Sequence, residues 1–270
     1  ISGWPGGKPN ADDSNRPERA TPFPKRVIVF SPHPDDDVIS MGGTFQRLVD
    51  QGHEVHVAYQ TSGNIAVGDD EAYRYVATMK NVAAAYCDGN LDTLIGKRDQ
   101  TLDLLRNPQQ YGDTIPREVL NIKGQIRREE ARSACRFVGV KPENVHFLDL
   151  PFYETGQVKK GNLTEKDVQI VMQLFEDVKP HQIYVAGDLA DPHGTHKVCL
   201  NAALAALDEM KATEALKDCR VWMYRGAWAE WEIDHIEMAV PISPEQLLRK
   251  RHSILKHQSQ MEAAPYMGND

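Results

Sequence analysis

Four side chains able to handle protons or metals crowd one short stretch: His33, Asp35, Asp36 and Asp37, within Ser31-Pro32-His33-Pro34-Asp35-Asp36-Asp37-Val38. Much later, Asp191-Pro192-His193-Gly194-Thr195-His196 brings one carboxylate and two imidazoles together again. His33, Asp36 and His196 form a two-histidine, one-carboxylate set, the type that holds a catalytic zinc with a position open for water. Other first-row divalent ions suit the same donors. His33 and Asp36 are three residues apart, so one turn can aim both at one ion. Asp35 cannot share that direction. Its carboxylate would face the bound water, whose pKa a metal lowers toward about 7, and could take its proton. His193, three residues before His196, would project to the same side, where it could donate to a developing oxyanion or protonate a leaving amine. Asp191 could hold the His193 ring in the required tautomer. Each piece has a plainer reading: a run of aspartates can cap a helix, and a single histidine is commonly a surface or core residue. The two clusters together, with ligands, base and acid all supplied, point to a metal-assisted hydrolytic site.

Both clusters must be held by rigid elements. The apolar run Val27-Ile28-Val29-Phe30, within a strand at 26–31, precedes the first; a helix over 38–51 follows it. The second follows a strand at 182–186 and opens a helix over 196–207. Each therefore lies at a strand-to-helix turn, at the carboxyl edge of a sheet where open α/β folds bind ligands. Periodicity and turn residues predict further strands at 54–59, 145–148, 220–224 and 237–240. Helices are predicted over 70–87, over 126–138 with a stop at Gly139, over 164–178 and over 244–257. Thr164 and Asp167 fit a capping box at the start of the third of these. Residues 88–123 are less regular, an insertion with a short helix near 102–105 that could serve as a lid. Residues 61–64, ending in Asn64, form another candidate ligand loop. Gly42-Gly43 inside the first helix weakens it by roughly 1 kcal/mol per glycine, which the close approach of another group would explain. Strands alternating with helices give an α/β, Rossmann-like fold: a mostly parallel sheet with helices on both faces. Residues 1–25, rich in proline, read as a linker or tail, and 26–270 as one domain.

Composition narrows the function classes. Of 270 residues, 41% are apolar and 26% charged, enough to bury a core. The net charge of −8 argues against a nucleic-acid groove, which needs a basic face. Cys87, Cys135, Cys199 and Cys219 lack C-x-x-C spacing and read as buried thiols of a reducing compartment, so a cytoplasmic location is expected. No apolar run is long enough to span a membrane, and no signal peptide opens the chain. A start at Ile1 fits a processed chain or a piece of a longer one. The dinucleotide fingerprint G-x-G-x-x-G and the nucleophile elbow G-x-S-x-G are both absent.

His33-Pro34-Asp35-Asp36-Asp37 followed by Gly42-Gly43-Thr44 resembles the HPDDE…GGT signature of the LmbE/PIG-L family of zinc-dependent N-acetylglucosamine deacetylases. His193-Gly194-Thr195-His196 resembles that family's later H-x-x-H. Arg127-Arg128-Glu129-Glu130, with Ala134 and Gly139, is similar to its R-x-x-E helix, and residues 254–260 to a C-terminal H-x-S-Q element. The likeness covers about residues 26–260 and extends to the deacetylase module fused behind a glucosamine-6-phosphate deaminase domain in some bacterial proteins. It implies Zn2+ on His33, Asp36 and His196, with Asp35 as base. His193 would stabilise the oxyanion or act as acid, and Arg127, or Arg128 in its place, would contact the substrate. Asn64 and the aromatic pair Phe152-Tyr153 could line a sugar pocket, or the aromatics could simply pack. Asp37 stands where the family usually has Glu, and Thr195 where it often has Asp. The activity implied is removal of the N-acetyl group from an N-acetylglucosamine derivative, such as a phosphorylated one. Two other classes remain open: a non-catalytic metal- or sugar-binding module for an attached amino-sugar enzyme, and a metal-dependent esterase or phosphatase. The expected partners are a small amino sugar, a fused upstream domain and further copies of the chain.

Overall fold

In the computed structural model, residues 24–86, 91–111, 114–187, 189–226 and 229–261 are described. Most of the proline-rich segment 1–25, and Cys87, lie outside them. The frame is a five-stranded parallel sheet built from β1 (Arg26–Ser31), β2 (Glu54–Tyr59), β3 (Val145–Phe147), β4 (Gln182–Ala186) and β5 (Arg220–Tyr224). Its order is β3-β2-β1-β4-β5. The chain therefore moves one way from β1 to β2 and β3, and the other way to β4 and β5. The reversal lies between β1 and β4, neighbours that pair through Val27–Gln182, Ile28–Ile183 and Val29–Tyr184. Connections leaving these two strands diverge, which opens a crevice at their carboxyl ends.

The alternation of side chains along buried strands sends successive residues to opposite faces. Ile28, Phe30, Ile183 and Val185 pack with α5 (Glu165–Val178) and α6 (Thr195–Met210). Val27, Val29, Val57 and Tyr59 pack with α1 (Asp36–Asp50) and the second half of α4 (Arg117–Val138). Helices thus cover both faces, as predicted. The expected capping box is present: Thr164 Oγ1 and its main-chain N–H both donate to the Asp167 carboxylate, at 2.6 and 2.8 Å. The other Asp167 oxygen accepts from Phe152 N at 2.9 Å, tying the loop after β3 to α5.

The Gly42-Gly43 pair has the predicted cause, a close approach. A Cβ on Gly42 would come within 2.8 Å of Lys250 Cγ, and one on Gly43 within 2.7 Å of Ile242 Cγ2. These glycines let α7 (Pro244–Ile254) and the segment before it lie directly on α1.

Three expectations are corrected. Residues 237–240 form no strand. The chain there runs over α1, where Pro241 O accepts from Arg47 Nη1 at 2.6 Å and Ile242 fills the space above Gly43, so its backbone joins no ladder. α4 starts at Arg117, nine residues before the predicted 126, because Pro116 sits at the helix start, where a missing N–H costs nothing. Val119, Leu120 and Ile126 continue its buried face. The segment 88–123 holds not a short helix but α3 (Asp92–Arg106). α3 packs with α2 (Asp69–Tyr86) on the first half of α4, around Val76, Leu102, Leu105 and Val119.

Candidate active site

The turn after β1 is tied internally. Ser31 Oγ donates to His33 O at 2.5 Å, and Asp35 N to the same carbonyl at 2.8 Å. Asp36 then begins α1. Its Oδ2 accepts the His33 main-chain N–H at 2.9 Å and lies 3.4 Å from His33 Nδ1 and 3.2 Å from His196 Nε2. The His33 and His196 rings sit 5.3 Å apart, and His33 meets Tyr153 edge-on at 6.2 Å. One ligand atom from each of His33, Asp36 and His196 can be chosen so that all lie within 4.8 Å of one another. Borderline nitrogen and hard oxygen donors at that spacing fit a first-row divalent ion. Burial alone would raise the Asp36 pKa, but hydrogen bonds from His196 and His33 outweigh it and hold the carboxyl well below the usual range. Asp36 is therefore ionised, as a ligand must be.

β4 delivers the second half. Gly194, at φ +70, lets the chain turn into α6. The Asp191 carboxylate accepts the main-chain N–H groups of His193 at 2.9 Å and His196 at 3.1 Å. Burial pushes Asp191 up, but these two backbone donors together with the nearby His196 and His33 more than offset it, and its pKa is lowered. Asp191, three residues before the Gly194 N-cap, thus ties the turn to the first turn of α6 and helps fix the direction in which His196 leaves it. The contacts of Asp191 with this segment include its grip on the backbone. His193 is exposed at the rim, while Thr195 is buried and accepts from Lys160 Nζ at 2.5 Å.

A cavity of about 310 Å³ joins the two halves. Its wall includes His33, Asp35, Asp36, Arg127, Asp191, His193 and His196, with Ile39, Ala66 and Gln260 completing it. Among the described residues of 88–123 none lines it, and α3 packs beside α2 and α4. A larger cleft of about 570 Å³ lies between α2 and α4, outside the histidine-aspartate cluster.

Arg127 is 1% exposed, and its Nη2 donates to Asp35 Oδ2 at 3.1 Å. A Cβ on Gly63, itself at φ +63, would stand 3.0 Å from Arg127 Nε, so both the turn and the guanidinium require glycine there. Arg128 points elsewhere, to Asp149 and across the Phe147 ring at 5.1 Å. The choice between the two arginines is a matter of helix phase: successive residues point about 100° apart. Asn64 is buried and donates to Glu154 Oε2 at 3.2 Å, without lining the cavity. Phe152 and Tyr153 are buried in the core on the α5–α6 face.

Three residues whose roles sequence reasoning missed complete the surroundings. Glu130, one turn after Arg127, accepts Ser259 N at 2.6 Å and Ser259 Oγ at 2.7 Å, and so ties the segment after α7 to the site. His257 is 2% exposed, and among the described residues neither ring nitrogen has a hydrogen-bond partner. Burial pushes its pKa down to about 4, against the opposing pull of Asp35 and Asp36, with Arg127 adding to the fall. Gln260 reaches the cavity itself. The R-x-x-E spacing and the His-Gln-Ser-Gln stretch were the available signals, but neither says that the two segments touch. Asp37 is fully buried behind the ligands. Burial raises its pKa to about 7, opposed by hydrogen bonds from Tyr59 and Ser31.

The sequence model of a family described as PIG-L, GlcNAc-PI de-N-acetylase, matches residues 28–207. A glucosamine-6-phosphate deaminase-like protein of Bacteroides thetaiotaomicron is 60% identical over 272 residues, covering 100% of this chain and 41% of the relative. Diacetylchitobiose deacetylase of Thermococcus kodakarensis is 27% identical over 105 residues, 39% of this chain and 38% of the relative. The chain thus spans about two-fifths of the length of either. Among solved structures, N,N'-diacetylchitobiose deacetylase from Pyrococcus horikoshii aligns with 88% of this chain and 72% of its own, at TM-score 0.53 and 17% identity. The deacetylase of the A40926 pseudoaglycone aligns with 90% and 86%, at TM-score 0.51 and 14% identity. These two structures share the fold.

Proposed function

The chain belongs to the PIG-L (LmbE-like) family of de-N-acetylases, and from that premise we propose that it is a metal-dependent hydrolase removing the N-acetyl group from an N-acetylglucosamine derivative. The observation that carries this reading is the convergence of His33, Asp36 and His196 ligand atoms within 4.8 Å, in a cavity that also contains Asp35 and His193. A divalent ion held by these three residues, zinc first among the candidates, would supply Lewis acidity and acidify a water beside it. Asp35 takes the proton of the attacking water. Arg127 holds the Asp35 carboxylate in place through Nη2, which leaves Asp35 Oδ1 free of that contact. His193, exposed at the rim, donates to the carbonyl oxygen as it gains charge and then to the departing amine. Asp191 keeps the α6 terminus, and with it His193 and His196, in register through the backbone.

We assign 26–270 to the catalytic domain and 1–25 to a linker from a fused upstream partner. The longer Bacteroides relative supports this, since the chain accounts for 41% of it. That relative's name also favours a phosphorylated amino sugar as substrate. A cytoplasmic location fits the free thiols of Cys135, Cys199 and Cys219; no helix among the described residues is long and apolar enough to cross a membrane. The test is acetate release from N-acetylglucosamine, its 6-phosphate and extended glycosides, with and without chelator, on protein of measured metal content. Turnover of phosphomonoesters or simple esters in place of acetamides would refute the assignment, and equal turnover with and without the phosphate would refute the phosphorylated substrate.

A further inference from the structure

Asp37 follows a proposed metal ligand by one residue yet faces away from the cavity. It is fully buried. Its main-chain N–H donates to Ser31 Oγ at 3.0 Å, and its carboxylate lies 3.2 Å from that hydroxyl. Its other oxygen accepts from Tyr59 OH at 3.0 Å. Ser31 and Tyr59 are register partners at the ends of the paired strands β1 and β2, so their side chains rise on the same sheet face and clasp Asp37 between them. Ser31 also donates to the His33 carbonyl at 2.5 Å. Tyr59 is held in turn: its hydroxyl lies 3.2 Å from Cys135 Sγ on α4, and its ring stacks on Phe147 at 5.3 Å and 19°. One continuous chain of contacts therefore runs from α4 through β2, α1 and β1 to the backbone of His33.

We propose that Asp37 is a positioning residue, which acts through Ser31 and Tyr59 to set the direction in which His33 and Asp36 meet an ion. The inference rests on the metal-ligand reading of His33, Asp36 and His196. It goes further by assigning the buried brace that orients two of them, and by giving Tyr59 the part of bridging to an acid with so short an arm. Groups hydrogen-bonded behind metal ligands typically matter by roughly 10–100-fold in affinity.

Ser31→Ala breaks the contact to the His33 carbonyl, and Asp37→Ala removes the centre of the brace. Asp37→Asn keeps it, because the amide offers an acceptor to Tyr59 and a donor to Ser31. Competition of a chromophoric chelator for Zn2+ and for Co2+ measures affinity, and the Co2+ absorption spectrum reports ligand geometry. Amide hydrogen exchange over residues 31–40 in the ion-free protein reports the order of the turn directly. We expect the two alanine variants to bind both ions about 10–100-fold more weakly, with an altered Co2+ spectrum and faster exchange in the turn. Asp37→Asn should stay within about 3-fold of wild type in affinity and match it in exchange. Unchanged affinity, spectrum and exchange in both alanine variants would overturn the proposal. Faster exchange in a protein whose wild type binds no ion would leave the brace standing and refute the metal reading alone. Where Asp37→Ala does not fold, Tyr59→Phe, which deletes one hydroxyl, carries the same test.

Discussion

Lowering the pH should destabilise the protein through His257, and His257→Leu should remove that loss. In an unfolded chain the imidazole takes up a proton below about pH 6.5. In the folded protein, burial holds the ring neutral until about pH 4. Between those values the unfolded state binds more protons, so stability falls as pH drops. A difference of roughly 2.5 pH units at about 1.36 kcal/mol each sets a ceiling near 3 kcal/mol. Solvent screening takes little from it, since the residue is 2% exposed. Asp37 works in the opposite direction over nearly the same window. Burial lets it keep its proton to about pH 7, whereas an unfolded aspartate releases it near 3.9. Asp37 is therefore least costly at low pH, and the wild-type profile blends the two trends. The difference between variant and wild type isolates His257. Urea unfolding of both proteins at pH 7.0, 6.0, 5.0 and 4.5, with chelator present, should show the variant gaining about 2–3 kcal/mol on wild type across the series. A difference that stays constant within about 0.5 kcal/mol would mean that the ring is not held neutral, and that its two unpartnered nitrogens are in fact satisfied.

Asp35→Asn should lower acetate release by about 10²–10⁴-fold while leaving metal content unchanged, as measured by enzyme assay and elemental analysis on the same sample. His196→Ala should lose both metal and activity, and chelator-treated wild type should recover activity when Zn2+ is returned; recovery without any ion would refute the ligand assignment. Arg127→Met leaves the largely buried Asp35 carboxylate without its cation, and denaturant unfolding should register a loss toward the lower end of about 3–5 kcal/mol. Gly43→Ala would force a methyl group to within 2.7 Å of Ile242 Cγ2. The overpacking cost of about 1–3 kcal/mol should exceed the helix-propensity gain of up to about 1 kcal/mol, and Ile242→Ala in the same chain should recover part of the loss in thermal unfolding.

Local signals carried much of the fold because they need only neighbouring residues. The apolar runs of β1 and β4, the Thr164–Asp167 box and the glycine stop at 139 each act within a few positions, and all four stand where the sequence places them. The early start of α4 was not legible locally because a proline such as Pro116 can either start or break a helix, and only the tertiary packing of Val119 and Ile126 decides which. The alternation at 237–240 misled because a strand needs a partner edge, and that stretch spends its contacts on α1 instead.

The residue types of the site were likewise legible: histidines and aspartates at two strand-to-helix turns announce a metal-compatible set wherever the chain places them. What the sequence could not determine is that these turns are neighbours. Nothing local says that β4, 155 residues beyond β1, lies against it, and the reversal of strand order between them is a property of the whole sheet. The same holds for Arg127 on Asp35, Glu130 on Ser259 and the sealing of His257, each a contact between segments far apart in the chain. Side-chain chemistry is inherited from composition and spacing, while convergence depends on which hydrophobic faces cover one another. Burial therefore chose the partners, and through them the charge states, of groups that the sequence alone leaves unpaired.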